Sequence, residues 1–374
     1  MTSIAQVEAR AVVVPVDGGL AFAQRLVAER HYVLVRVRDD DGVVGLGFCY
    51  AGNFGGDIVA TVIRDLIAPE LIGENRLHVK ELWERAYQRL LLHGRTGMVM
   101  RALSAVDVAL WDCNARAAGL PLYQYLGAAR SGSVPAYASG GYYREGKSPN
   151  DLAQETLGYV KSGFGAVKIK VGRLSAADDE ERIAAVREAI GPGVLLMLDA
   201  NNAWGDVPTA VRAVRSWERY DPYWIEEPFG PDDILNHAEL ARRTPITVAT
   251  GEIEYGRWRH QHLLTSAGAG ILQTDAAVCG GITEFQRIAN MASGFGVMMC
   301  PHWFHDLHIH LVASSTNGQF VEFFPDDQVL NFRRLISRQL EVTSEGGLVL
   351  PTDPGLGFDF DEAAVDTYAI GPWS

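Results

Sequence analysis

A closed (β/α) barrel preceded by a separate α+β unit is the fold this sequence predicts, and three observations lead to it. From about residue 134 onward, short apolar strand candidates alternate with amphipathic stretches, a rhythm that implies a parallel sheet. Eight such strands in that order suit a closed barrel better than an open doubly wound sheet. An open sheet often carries a glycine-rich phosphate loop after its first strand, and Ser139-Gly-Gly-Tyr-Tyr143 is not such a loop. Lastly, successive strand candidates end in charged or titratable residues, the layout of an active site at the carboxyl face of a barrel.

In chain order, residues 1–128 read as the α+β unit. Tyr32 to Arg38 alternate as a strand should, and Asp39-Asp-Asp-Gly42 is a turn handing over to Val43-Val-Gly-Leu-Gly47, so a hairpin is expected. Helical segments follow near 57–70 and 77–92. A third runs from about Ala102 to Ala118, with Leu103, Val106 and Leu110 at helical spacing and Gly119-Leu-Pro as its stop. Small residues over 127–133 mark a boundary. The strand candidates of the barrel, 129–335, are Val134–Tyr137, Ala166–Val171, Val194–Ala200, Trp224–Glu226, Ile246–Thr250, Ile271–Thr274, Val297–Cys300 and Phe320–Phe323. Amphipathic stretches such as Asp178–Ile190, Val207–Arg219 and Thr283–Ser293 lie between them. Residues 336–374 form a C-terminal segment.

The 374 residues are 48% hydrophobic, which permits a large core, and no apolar run is long enough to cross a bilayer. The opening residues lack the basic patch and apolar stretch of a secretory signal. Four cysteines (Cys49, Cys113, Cys279, Cys300) show no CxxC pairing, as expected of reduced thiols in a cytoplasmic protein. A net charge of −13 argues against nucleic acid and anionic membranes as partners. An anionic substrate is still compatible, because a bound cation and two lysines reverse the local field.

The chemistry sits at the strand ends. Asp199, Glu226 and Glu252 close three consecutive apolar runs, within Asp-Ala-Asn, Glu-Glu-Pro and Thr-Gly-Glu. One such acid is ordinarily a helix cap. Three in succession are what a hard divalent cation needs, with carboxylate oxygens arriving from several directions. Strand alternation sends Glu226 and Glu227 to opposite faces, so only one of the two is expected to point at the site. Lys168 and Lys170, two residues apart, share a face at the barrel interior, where each ammonium is expected to depress the other's pKa toward that of a general base. The bland alternative is a pair of snorkelling surface lysines, which the apolar neighbours Val167, Ile169 and Val171 disfavour. Asp275 and His302 end the two adjacent runs that follow Glu252, and a carboxylate on one ring nitrogen orients an imidazole for proton transfer at the other. A zinc cluster of His302 with His305, His308 and His310 is the lesser reading, since those three residues begin the next helix.

Together these motifs resemble the enolase superfamily, and within it the mandelate racemase subgroup: Lys-x-Lys, Asp-x-Asn, Glu-Glu-Pro, Gly-Glu, then the Asp and the His. Leu103-Ser-Ala-Val-Asp-Val-Ala-Leu-Trp-Asp112, Gly119-Leu-Pro-Leu-Tyr123 and Asp353-Pro-Gly-Leu-Gly-Phe358 also resemble segments common in that family. The resemblance covers nearly the whole chain. It implies a (β/α)7β modified TIM barrel under an α+β cap that the C-terminal segment 336–374 completes. It implies an essential Mg²⁺ on Asp199, Glu226 and Glu252, and Lys170 as one acid/base catalyst tuned by Lys168. His302 with Asp275 would be the second catalyst, on the opposite face of the substrate carbon. Asn201 is implied as a substrate contact near the metal, and Glu322, protonated, as a hydrogen-bond partner of the substrate carboxylate.

The function expected is a Mg²⁺-dependent acid-sugar (aldonate or aldarate) dehydratase, a hydro-lyase acting on a small-molecule carboxylate to give a 2-keto-3-deoxy acid. The alternative is a racemase or epimerase of a 2-hydroxy acid. A catalytically silent, ligand-binding barrel and a Schiff-base aldolase on Lys170 are readings of other classes. A homo-oligomer is expected from the resemblance. Asp17-Gly-Gly and Gly52-Asn-Phe-Gly-Gly56 are the candidate specificity segments of the cap.

Overall fold

A computed structural model describes residues 2–374 apart from residue 24. The N-terminal part begins with a three-stranded antiparallel sheet in the order β1 (Ile4–Phe22), β2 (Arg25–Asp39), β3 (Val44–Gly52). The hairpin read around Asp39–Gly42 is the β2–β3 connection. Gly42 takes φ 88°, Asp39 Oδ1 accepts from the Val43 N–H at 2.7 Å, and Oδ2 pairs with Arg76 Nε at 2.8 Å. The sequence reading missed β1 altogether, because Pro15 and Asp17-Gly-Gly look like breakers. They are tolerated because β1 is an edge strand whose register against β2 slips between Pro15 and Leu20. Its outer edge is covered by the end of the chain: Ala9 and Ser374 exchange backbone hydrogen bonds at 2.8 and 3.1 Å, and the Ile370 N–H donates to Ala11 O.

Helices Gly56–Leu71 (with a π turn at Ile63–Ile67) and Gly97–Ala117 pack on this sheet, and Val79–Leu90 packs against Gly97–Ala117. Gly97–Ala117 is the third of these helices in chain order. The third begins five residues before the expected Ala102. Its Ala105, Ala109 and Cys113, each four residues apart, meet Gly45 and Gly47 of β3 backbone to backbone. A Cβ on Gly47 would lie 2.0 Å from Ala105 O, and one on Gly45 2.1 Å from Ala109 O. Gly47→Val is therefore expected to destabilise the protein by about 3 kcal/mol or more, as overpacking does. An unchanged urea midpoint for that variant would contradict this packing.

Eight parallel strands follow: β4 (Ser133–Ser139), β5 (Ala166–Lys170), β6 (Leu195–Asp199), β7 (Pro222–Glu226), β8 (Thr247–Thr250), β9 (Ile271–Leu272), β10 (Met298–Met299) and β11 (Val321–Phe323). They run in the order β11-β4-β5-β6-β7-β8-β9-β10. The ring closes where the Met299 N–H donates to Asn317 O and the Gln319 N–H to Met299 O, both at 2.9 Å. Each strand candidate from the sequence corresponds to one of these strands. Alternation sorts the side chains. Tyr137, Ala166, Met197, Trp224, Ala249, Ile271 and Cys300 form one inner cluster, whereas Val167, Ile169, Leu196, Leu198, Ile225 and Val248 pack outward among helical residues such as Val186 and Val211. Lys168 and Lys170 thus share the inner side with Ala166.

The segment 336–374 is divided between the two parts. β12 (Gly347–Val349) pairs antiparallel with the start of β4, while helix Glu362–Tyr368 and the residues after it lie along β1. The helix Gly97–Ala117 also ties the parts together. Asp107 accepts from the Thr283 N–H at 2.9 Å and from Thr283 Oγ1 at 2.6 Å, and Asp112 accepts from the Leu46 and Leu356 N–H groups. The acids of the Leu103–Asp112 motif therefore act as buried structural ties. No helix among the described residues is long and apolar enough to cross a membrane, and all four cysteines are free and buried.

Candidate active site

Parallel register places Lys170 opposite Asp199 and Asp199 opposite Glu226, so the ends of β5, β6 and β7 present three charged side chains at one level. Lys170 Nζ lies 2.5 Å from Asp199 Oδ2. Lys168 Nζ, beneath it, lies 2.7 Å from Glu226 Oε1, 2.7 Å from Glu322 Oε1 and 3.7 Å from Asp199 Oδ2. Beyond β8, Gly251 (φ 119°) turns the chain so that Glu252 reaches the same mouth. Beyond β9 and β10, Asp275 Oδ2 lies 3.2 Å from His302 Nδ1, leaving Nε2 3.5 Å from Glu252 Oε1. Asp275 Oδ1 also accepts from the Ala277 N–H at 2.8 Å, so this acid caps a short helix and orients the imidazole at once.

A cavity of about 470 Å³ opens above this layer. The barrel contributes Lys170, Asn201, Glu252, Asp275 and His302 to its wall, and the cap contributes Phe22, Arg25, Arg30, Tyr50, Asn53 and Phe54. Lys168, Asp199, Glu226 and Glu322 are buried outside that wall. Of the two candidate specificity segments, Gly52–Phe54 lines the cavity, whereas Asp17 and Gly19 do not; Phe22, Arg25, Leu26 and Val27 take their place. The arginines were missed because the alternating strand was read only from Tyr32, whereas β2 begins at Arg25. The one available signal was Arg30, which shares a strand face with the buried Tyr32.

The C-terminal part of the chain, residues 151–364, matches the family model described as enolase C-terminal domain-like. Residues 4–127 match the mandelate racemase / muconate lactonizing enzyme N-terminal domain. The chain belongs to the enolase superfamily. It is 36% identical over 348 residues to L-talarate/galactarate dehydratase of Salmonella typhimurium, covering 91% of this chain and 83% of that protein. It is 32% identical over 339 residues to 3,6-anhydro-alpha-L-galactonate cycloisomerase of Streptomyces coelicolor, covering 91% of each. The crystal structure of L-talarate dehydratase from Polaromonas sp. JS666, complexed with Mg and L-glucarate, superimposes with a TM-score of 0.92 at 33% identity, covering 100% of this chain and 99% of that one.

The donor set of this enolase-superfamily enzyme suits a hard divalent cation. Glu252 Oε2, Glu227 Oε2 and Asn201 Oδ1 are buried oxygens without a hydrogen-bond partner. Burial, then the charges of Asp199 and Glu252, push the Glu226 carboxyl well above its usual range, the mark of a carboxylate cluster short of positive charge. Among the described residues, however, no three acidic, histidine or cysteine side chains already converge as a metal shell. Asp199 and Glu226 face the ammonium groups instead.

Three expectations need correction. The lysines do not depress each other's pKa on balance. Burial pulls Lys168 down, but Glu226 and Glu322 hold it well above the ordinary lysine value, and Asp199 does the same for Lys170 despite burial and Lys168. Glu322 is ionised: burial raises its carboxyl, but Lys168, His302 and Lys170 bring it below its usual range, and Oε2 accepts from the Trp303 N–H at 2.8 Å. Glu227 does not follow strand alternation, because β7 ends at Glu226 and Glu227 adopts φ 40°; its buried carboxyl feels Glu252, Asp199 and Glu226. His302 is opposed by burial but is pushed up to about 9 by Glu252, Asp275 and Glu322. The remaining histidines do not converge as a zinc site: His308 Nε2 accepts from the Ala276 N–H, and His310 bridges the Tyr123 N–H and Leu356 O.

Proposed function

We propose that this enzyme is a Mg²⁺-dependent acid-sugar dehydratase. The observation that carries this reading is the presence on one cavity wall of two proton-transfer groups of different kinds, Lys170 on β5 and His302 beyond β10, each with its own carboxylate partner. When bound at Asp199, Glu226 and Glu252, Mg²⁺ supplies the positive charge that stabilises a substrate carboxylate as α-proton loss makes it doubly negative.

The chain's own groups do the rest. Asp199 is the strongest influence keeping Lys170 protonated, so turning that carboxylate away from Nζ frees the lysine as a base. The α-C–H bond then breaks with its proton passing to Nζ. His302, an imidazolium at neutral pH, holds a proton for the departing β-hydroxyl, which leaves as water; the resulting enol tautomerises to the 2-keto-3-deoxy acid. Lys168 holds Glu226 and Glu322 in place and favours the ionised form of Glu322.

The test is turnover of a panel of mono- and dicarboxylic sugar acids with Mg²⁺, with 2-keto products detected by semicarbazide. At least one C4–C6 acid should give a keto product, and mandelate, which has no β-hydroxyl, should not. Efficient inversion of a simple 2-hydroxy acid, with no keto product from any sugar acid, would transfer the assignment to a racemase. Chelation should abolish turnover and added Mg²⁺ restore it, and Glu252→Gln should raise the Mg²⁺ concentration needed, because a neutral amide replaces a charged donor. Full activity of metal-stripped enzyme would contradict the metal assignment.

A further inference from the structure

Arg30, on β2 of the cap, is 2% exposed. Its single side-chain hydrogen bond among the described residues runs from Nη1 to the Tyr50 hydroxyl at 3.3 Å, and Nε and Nη2, both buried, have none. Its guanidinium lies over the Trp303 ring at 4.4 Å and near the Tyr50 ring at 5.5 Å. Stacking of this kind satisfies the faces of the guanidinium and leaves its edge unsatisfied. A buried donor without an acceptor is costly, so a purely structural arginine is a poor account of this edge. Nε and Nη2 share one edge of the guanidinium, the pair that grips a carboxylate through two parallel hydrogen bonds.

The position of Arg30 narrows the ligand. Arg30 and Trp303 stand on the wall of the cavity that holds Lys170 and His302, and the Trp303 ring stacks on His302 with centroids 5.5 Å apart. The reacting carboxylate belongs at the mouth formed by Asp199, Glu226 and Glu252, so Arg30 is left for a different part of the substrate. The charges on the wall agree. Lys170 is neutralised by Asp199, but Arg25, Arg30 and Arg101 share the wall with only Glu252 and Asp275 among the described acids, and both of those acids lie beside His302. In a chain of net charge −13, that positive surplus suits a dianion better than a monoanion.

We propose that Arg30 receives the distal carboxylate of a dicarboxylic substrate, so that the enzyme selects aldarates over the corresponding aldonates. This rests on the acid-sugar reading of the same cavity. The test is calorimetric binding of D-glucarate against D-gluconate, and of galactarate against D-galactonate, to the Mg²⁺-loaded Lys170→Ala variant, in which turnover is blocked. At least one diacid should bind about 10- to 100-fold more tightly than its monoacid, the worth of a charge-assisted fork. Adding Arg30→Gln should abolish that preference and leave monoacid affinity where it was, and Arg30→Lys should keep part of it.

The proposal is overturned if the monoacids bind as tightly, if no diacid binds, or if Arg30→Gln weakens both classes alike. Wild-type turnover separates this outcome from that of the dehydratase reading. Diacid preference that depends on Arg30, without any keto product, upholds Arg30 and removes the dehydratase. Keto product from monoacids alone does the reverse.

Discussion

Lys170→Ala is expected to lower kcat/KM for dehydration by about 10³- to 10⁴-fold, the upper range for loss of a general base. Lys170 lines the cavity and Lys168 does not, so the two lysines should separate by mechanism. Loss of Lys170 should act on kcat with Mg²⁺ affinity retained. Loss of Lys168 should act on both, because it leaves Glu226 and Glu322 buried without their counter-charge. The measurement is steady-state keto-acid formation alongside Mg²⁺ titration. A Lys170→Ala enzyme within tenfold of wild type would remove Lys170 from the chemistry whatever the fold.

His302→Asn should abolish dehydration to a similar extent and yet spare exchange of the substrate α-proton in ²H₂O. The two events belong to different groups: Lys170 takes the proton from carbon, and His302 delivers one to the leaving hydroxyl. Asp275→Asn should be milder than His302→Asn, since it removes the orienting carboxylate and leaves Glu252 beside Nε2. The reading is checked by following the α-proton signal by NMR in each variant. Normal dehydration by both Lys170→Ala and His302→Asn would show that the proposed pair does not act.

The legible part of this protein was what repeats along the chain. The strand–helix rhythm announced the parallel barrel, and period-two alternation placed Lys168 and Lys170 inside it. Asp199, Glu226, Glu252, Asp275 and His302 could be named because each ends a short apolar run. β1 was lost because Pro15 and Asp17-Gly-Gly signal a turn locally, and only the sheet edge and the returning C-terminal tail make a strand of them. Glu227 escaped because alternation holds only while the strand continues, and its positive φ ends it.

The sequence by itself determined the barrel, the order of its charged strand ends and the family they belong to. These follow from local periodicity and from residue types at strand ends, which the backbone repeat imposes whatever the distant partners. The tertiary structure decided the ionisation of those groups and the cavity above them. Whether Lys170 is held protonated depends on an Asp199 oxygen 2.5 Å away across a neighbouring strand, and Glu322 is ionised because Lys168 lies 2.7 Å from it. Arg30 meets Trp303 only when cap and barrel close on each other, far apart as they are in the chain. Electrostatic energy falls with distance and rises with burial, and both are set by packing between elements that the order of residues does not reveal.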